Sequence, residues 1–144
     1  MIRRYGEPVK PGKKYTLRPG AYVILPLDGQ ILLTHQQDPE PEFQLPGGGI
    51  DPGEHPIPAL HREVFEETGW SISAPRRLGA FRRFCYMPEY DLWAEKLCTI
   101  YTARPVRRLG PPAEEGHSAH WRPLKDAATL VGNPGDRAFL RSLL

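Results

Sequence analysis

Cysteine is scarce in this sequence: only Cys85 and Cys98 occur, thirteen positions apart and in no CxxC pairing. That excludes a disulfide framework or a cysteine-built metal site, and both thiols are expected to sit reduced in the core. Long apolar runs are missing too. No stretch approaches the roughly 20 residues that a membrane helix needs, and the N-terminal MIRRYGEPVKPGKKY lacks the apolar segment of a secretory leader. A cytoplasmic protein without membrane contact is the expectation. Charge of one sign is also lacking. With 19 Lys and Arg against 17 Asp and Glu, the formal +2 is too weak for a protein whose main partner is nucleic acid. The five histidines form no metal-ligand spacing, and the alternating oxygen ligands of an EF-hand loop do not occur. Repeats and low-complexity tracts are absent as well.

What is present reads as one folded domain behind a short arm. Residues 1–19 are basic, rich in Pro and Gly and non-periodic, which fits an extended arm; residues 20–144 have the apolar content of a single core. The runs AYVILPL and QILLTHQ flank Asp28-Gly29, a dipeptide suited to a tight hairpin turn. Helical spacing runs from about Pro58 to Thr68, with Ile57, Leu60 and Val64 along one face and Gly69 as its stop. Strands are expected around LGAFRRFCYM and LWAEKLCTIYTAR, then a loop LGPPAEEGHS and a short AHWRPL. Two helices close the chain, the second capped by Asn133 and carrying Phe139, Leu140 and Leu143 inward. Strands and helices mix in one layered α/β or α+β structure.

The segment LHREVFEETGW poses a chemical question. At about 100° per residue, Glu63, Glu66 and Glu67 fall within roughly 100° of one another, on a face read as solvent-side. Like charges at these spacings each cost about 0.2–0.5 kcal/mol, and acidic groups in a last turn oppose the helix dipole. An ordinary charged face, with Arg62 paired to Glu66, is the plain alternative. Upstream, however, LPGGGIDPGE supplies backbone that can approach a metal or phosphate closely. Carboxylates facing such a loop suit hard divalent cations that bridge to substrate phosphates.

Gly48, Glu54, Arg62-Glu63, Glu66-Glu67 and Gly69, with their spacings, resemble the signature of the Nudix hydrolases across its whole length. Seven identities at about 6% background usage would recur by chance well under one time in a million. The one departure is Trp70, where that family usually has an aliphatic residue. This resemblance implies an α/β/α sandwich with a central mixed β-sheet. It also implies cleavage of a nucleoside diphosphate linked to a group X, giving a nucleoside monophosphate and phosphorylated X, with Mg²⁺ or Mn²⁺. Glu63, Glu66 and Glu67 would be metal ligands with the Gly47 carbonyl, while Glu54 and Arg62 would orient them. Glu63 is the first choice for general base. EEGHSAHW resembles a later loop of the family and would bring Glu115 over the metal as a fourth ligand or alternative base; Glu95 is a weaker rival. Histidines 35, 55, 61, 117 and 120 are read as structural or surface.

For substrate, the aromatic and basic run FRRFCYMPEYDLW suits nucleotides, although strand alternation explains it equally. Arg18, Arg82 and Arg83 are candidate phosphate contacts. Tyr86 stands where some branches carry a tyrosine associated with dinucleoside polyphosphates, and Pro88 slightly beyond where others carry a proline associated with ADP-ribose. Nucleoside triphosphates and 5′-triphosphate RNA ends also stay open, as does pairing into a homodimer. The rival from another class is a non-catalytic nucleotide-binding or regulatory module, against which the retention of all four box glutamates speaks.

Overall fold

The computed structural model describes residues 2–144. Its strands are β1 (Arg3–Arg4), β2 (Thr16–Ile24), β3 (Pro26–Leu27), β4 (Gln30–Gln36), β5 (Glu42–Gln44), β6 (Gly47–Gly49), β7 (Trp70–Met87), β8 (Leu92–Arg108) and β9 (His117–Pro123). The helices are α1 (Pro56–Thr68), α2 (Leu124–Leu130) and α3 (Pro134–Arg141), with a 3₁₀ turn at Pro88–Tyr90. None of the described helices is long and apolar enough to cross a membrane.

The larger sheet has the order β1-β7-β8-β2-β6 and is mixed, because β2 runs parallel to β8 and β1 parallel to β7, while β7 runs antiparallel to β8 and β6 antiparallel to β2. A smaller sheet joins β3, β4, β5 and β9 around β4. Period-two alternation along the central strands splits the apolar residues between two faces. Ala21, Val23, Tyr101 and Ala103 pack with Leu60 and Val64 of α1. Ile24, Phe81, Cys98 and Ile100 pack with Ala127, Ala128 and Leu140 of the closing helices. The result is the expected α/β/α sandwich.

Several local expectations are corrected. Asp28 and Gly29 do form the turn, with φ of 52° and 78°, but only Pro26–Leu27 pairs across it with β4. Residues of AYVI lie in the other sheet, since Pro26 breaks the run and β8 claims β2 along its whole length. Thr16–Pro19, assigned to the arm, are the first rungs of β2, and Arg3–Arg4 pair with β7. Ile57 and Leu143, expected inward, are 37% and 41% exposed because they fall beyond the ends of the packed helix stripes. Cys85 is only half-buried, whereas Cys98 is buried; both are free.

Helix α1 begins at Pro56 and ends as expected at Gly69, where φ is 78°. A Cβ on Gly69 would lie 1.9 Å from the Gly110 carbonyl oxygen, so this stop also admits the strand-end that follows β8. Trp70 opens β7 half-buried, its ring edge-on to Trp121 at 5.5 Å. Trp70→Leu is therefore expected to cost about 1–3 kcal/mol of stability through lost packing. Thermal melts and turnover of the same sample check it; a folded variant that selectively loses turnover contradicts a packing role.

Candidate functional site

The site starts from the glycine run. Gly47 holds φ of 142° in β6, opposite Tyr22, and a Cβ there would meet the Ala21 carbonyl oxygen at 2.2 Å. Only glycine lets β6 close onto β2 at this point. The Gly47 N–H donates to Glu67 Oε1 at 3.0 Å, which seats the residue whose carbonyl is an expected ligand directly against the carboxylates. At Gly48 a Cβ would stand 2.6 Å from the Glu63 carboxyl carbon. The bare backbone thus makes the seat into which α1 lowers its carboxylates.

That seat corrects the expected solvent-facing glutamates. On the helical wheel Glu67 lies about 20° from Leu60, on the stripe that α1 buries. It is 5% exposed, and Glu63 is half-buried. Burial pushes the Glu67 carboxyl well above its ordinary range against the pull of the Gly47 N–H, and repulsion from Glu63, Glu114 and Glu66 adds to the rise. Burial raises Glu63 as well, opposed by Arg62.

Arg62 holds the group together. Its Nε and Nη2 donate to Glu54 Oε2 and Oε1, each at 2.9 Å, and Nη1 reaches Glu63 Oε1 at 3.1 Å and Glu66 Oε2 at 3.4 Å. This planar fork grips Glu54 with two N–H donors and still turns Nη1 toward Glu63 and Glu66, a bidentate geometry that an ammonium does not reproduce. Hydrogen bonds from Arg62 hold Glu54 down to about 2, helped by the Asp51 N–H.

The loop before β9 completes the cluster, and it corrects the expectation for Glu115. The N–H groups of Ala113 and Glu114 donate to the Glu66 carbonyl at 2.8 and 2.9 Å, pinning the loop to the end of α1. Glu114 consequently faces the carboxylates. Its neighbour Glu115 turns away, into a separate surface hollow beside Gln37 and Asp38. His117, read as structural, enters the site too: Nδ1 lies 3.8 Å from Glu67 Oε2 and 3.1 Å from Thr34 Oγ1, and Nε2 lies 3.8 Å from Glu114 Oε2.

Glu63, Glu66 and Glu114 offer ligand atoms within 4.8 Å of one another, as do Glu67, Glu114 and His117. The two trios share Glu114, and the single guanidinium of Arg62, already bonded to Glu54, reaches only Glu63 and Glu66 among these four carboxylates. Hard oxygen donors in this number fit a divalent cation such as Mg²⁺ or Mn²⁺, and cation binding there would expel protons.

A cleft of about 300 Å³ opens beside the cluster, with Glu63, Glu67, Glu114 and His117 along part of its lining. Arg83 and Lys96 bring cations into it. Asn133 and Asp136, from the start of α3, also line it, and burial holds the Asp136 carboxyl up to about 7 although the Leu45 N–H opposes. Arg18 stands at an adjoining hollow that shares Glu63 and Lys96, its guanidinium 4.6 Å over the Tyr90 ring. Two expected contacts fall elsewhere. Alternation turns Arg82 to the opposite face, 3.6 Å from Glu95, which also removes Glu95 as a rival base. Tyr86 lies outside the cleft, its hydroxyl donating to Asp91.

The family model described as the NUDIX domain matches residues 16–143. A Bacillus subtilis (strain 168) protein named as a candidate 8-oxo-dGTP diphosphatase is 35% identical over 74 residues, covering 51% of this chain and 50% of that protein. The RNA pyrophosphohydrolase of Helicobacter pylori (strain G27) is 42% identical over 62 residues, 40% of this chain and 39% of that protein. This chain thus aligns with half or less of the length of either relative. Among solved structures, a MutT NUDIX hydrolase from Burkholderia pseudomallei superposes with a TM-score of 0.72 at 20% identity, covering 90% of this chain and 99% of that one. A NUDIX hydrolase from Nitrosomonas europaea gives 0.72 at 19% identity, covering 89% and 88%.

Proposed function

The chain belongs to the Nudix family, and from that premise we propose that it hydrolyses phosphoric anhydride bonds in a nucleoside diphosphate linked to X, with Mg²⁺ or Mn²⁺. The observation that carries this reading is the convergence of Glu63, Glu66, Glu67 and Glu114 beside a cleft that also holds Arg83 and Lys96. Carboxylates for a cation and cations for phosphates, side by side, suit a polyphosphate. We further propose a 5′-triphosphate as the substrate group: one relative is named for 8-oxo-dGTP, a nucleoside triphosphate, and the other for pyrophosphohydrolysis of RNA. Asn133 and Asp136 would meet the base, offering an amide and a buried carboxyl to its polar edge.

Glu63, Glu66, Glu67 and Glu114 would hold the divalent cation, which supplies Lewis acidity toward phosphate oxygens and their growing charge. Arg62 keeps Glu63 and Glu66 aimed, and the Gly47 N–H holds Glu67. Arg83 and Lys96 neutralise the polyphosphate and orient it. Glu63, half-buried and with its carboxyl raised, takes a proton from the attacking water as the oxygen bonds to phosphorus and the bridging P–O bond breaks. Glu114 replaces Glu115 as the second candidate for that base.

Phosphate or pyrophosphate release from nucleoside triphosphates, 5′-triphosphate RNA, dinucleoside polyphosphates and ADP-ribose, with and without Mg²⁺ or Mn²⁺, tests the reading. Metal-dependent turnover that a chelator abolishes is the expected result. Nucleotide binding without turnover across the panel overturns it in favour of a binding module.

A further inference from the structure

Strand β1 covers β7 only at Phe81 and Arg82; beyond it, among the described residues, Arg83–Met87 have β8 on one side and no strand on the other. The N-terminal arm crosses this edge. Tyr15 packs its ring on Phe84 at 4.9 Å and on Trp93 at 6.1 Å, and its hydroxyl accepts the Lys10 N–H at 3.0 Å. The arm is thereby folded so that Lys10 Nζ and Lys13 Nζ both stand 4.8 Å from the Trp93 ring centre. Two ammonium groups held against one indole gather positive charge at this edge, which suits an anion.

Beside them runs a groove of about 400 Å³ lined by Lys10, Arg83, Phe84, Tyr86 and Trp93. Tyr86 is 43% exposed, with its ring 5.3 Å from Trp93. Arg83 lines both this groove and the cleft beside the carboxylates, so the two adjoin across one guanidinium. Of the acidic groups nearby, Asp91 is held by the Tyr86 hydroxyl and Glu95 by Arg82, which leaves Glu7 in the lining. The exposed Tyr86 ring and the partly exposed edges of Phe84 and Trp93, set among cations beside a polyphosphate site, suit bases and backbone phosphates.

Resting on the triphosphate reading above, we propose that this groove carries the nucleotides that follow the first in a single-stranded RNA whose 5′-triphosphate end occupies the cleft. A mononucleotide ends where the groove begins. The 5′-triphosphate is the mark of a newly started RNA chain, and such a chain has the bases and phosphates to fill the groove.

The test compares a nucleoside triphosphate with 5′-triphosphate oligoribonucleotides of two and six residues that begin with the same base, using the full chain and its Lys10→Ala/Lys13→Ala variant. The expected result is a kcat/KM that rises about tenfold or more with chain length, lost in the variant through KM, while mononucleotide turnover stays unchanged. Binding of a 5′-hydroxyl hexaribonucleotide, followed by tryptophan quenching, should weaken about tenfold in the variant, with a shallower salt dependence. Equal kcat/KM for all lengths, or equal losses on mononucleotide and RNA, overturns the groove assignment. Should no substrate be hydrolysed, the triphosphate reading fails alone: hexaribonucleotide binding still upholds the groove if Lys10 and Lys13 govern it, and rejects it if they do not.

Discussion

Glu67→Gln is expected to lower turnover about 10³-fold while leaving the fold intact, a loss of about 4 kcal/mol of transition-state stabilisation. Glutamine keeps the shape and an oxygen that can accept the Gly47 N–H, now 3.0 Å from Glu67 Oε1, so the seat on β6 survives. What disappears is the buried negative charge beside Glu63, Glu114 and His117. Removing it also relieves the repulsion that raises Glu67, so the variant should melt at or above the parent temperature in metal-free buffer. Mn²⁺ titration by calorimetry and steady-state turnover on the same preparation separate the effects. Near-normal turnover, or turnover lost together with the melting transition, removes Glu67 as a metal ligand.

The parts of this molecule that were legible in the sequence are those governed by local chemistry. Gly69 closes α1, Asn133 caps α3 by accepting the Gly135 N–H at 2.8 Å, and Asp28-Gly29 turns the chain. Each depends on residues within a few positions of one another. The pairing of Arg62 with Glu66 was readable for the same reason, being set by helical spacing, whereas Glu54 as its other partner came only from the family resemblance.

The illegible parts are those set by pairing at long range. Nothing in AYVILPL says that its first half will join β8, some eighty positions later, instead of folding back on QILLTHQ. Lys96 and Asp136 carry no motif, because they reach the cleft only through the β2–β8 register and the seating of α3. Glu67 was misplaced for a subtler reason. A glutamate on a helix is read as exposed because burying a bare carboxylate is costly, yet the Gly47 N–H and the expected cation offset that cost here.

The choice between Glu114 and Glu115 turns on one residue of register in a loop. Glu114→Gln is expected to lower turnover about 10²-fold, whereas Glu115→Gln should change it less than about twofold. The cause lies in backbone geometry: the Ala113 and Glu114 N–H groups grip the Glu66 carbonyl, and Gly116, at φ of 80°, turns the chain so that His117 enters β9. With the peptide held on both sides, adjacent side chains must diverge, so one faces the carboxylates and the other the hollow beside Asp38. His117→Asn would then mimic a milder form of the Glu114 change, since it removes the ring that spans Glu114 and Glu67. Parallel kinetics of the three variants, with Mn²⁺ affinity as a second readout, decide the matter. A loss confined to Glu115→Gln would mean that the loop slips by one residue when cation and substrate bind, releasing the grip on Glu66; equal losses would mean that the loop acts on the site through charge alone.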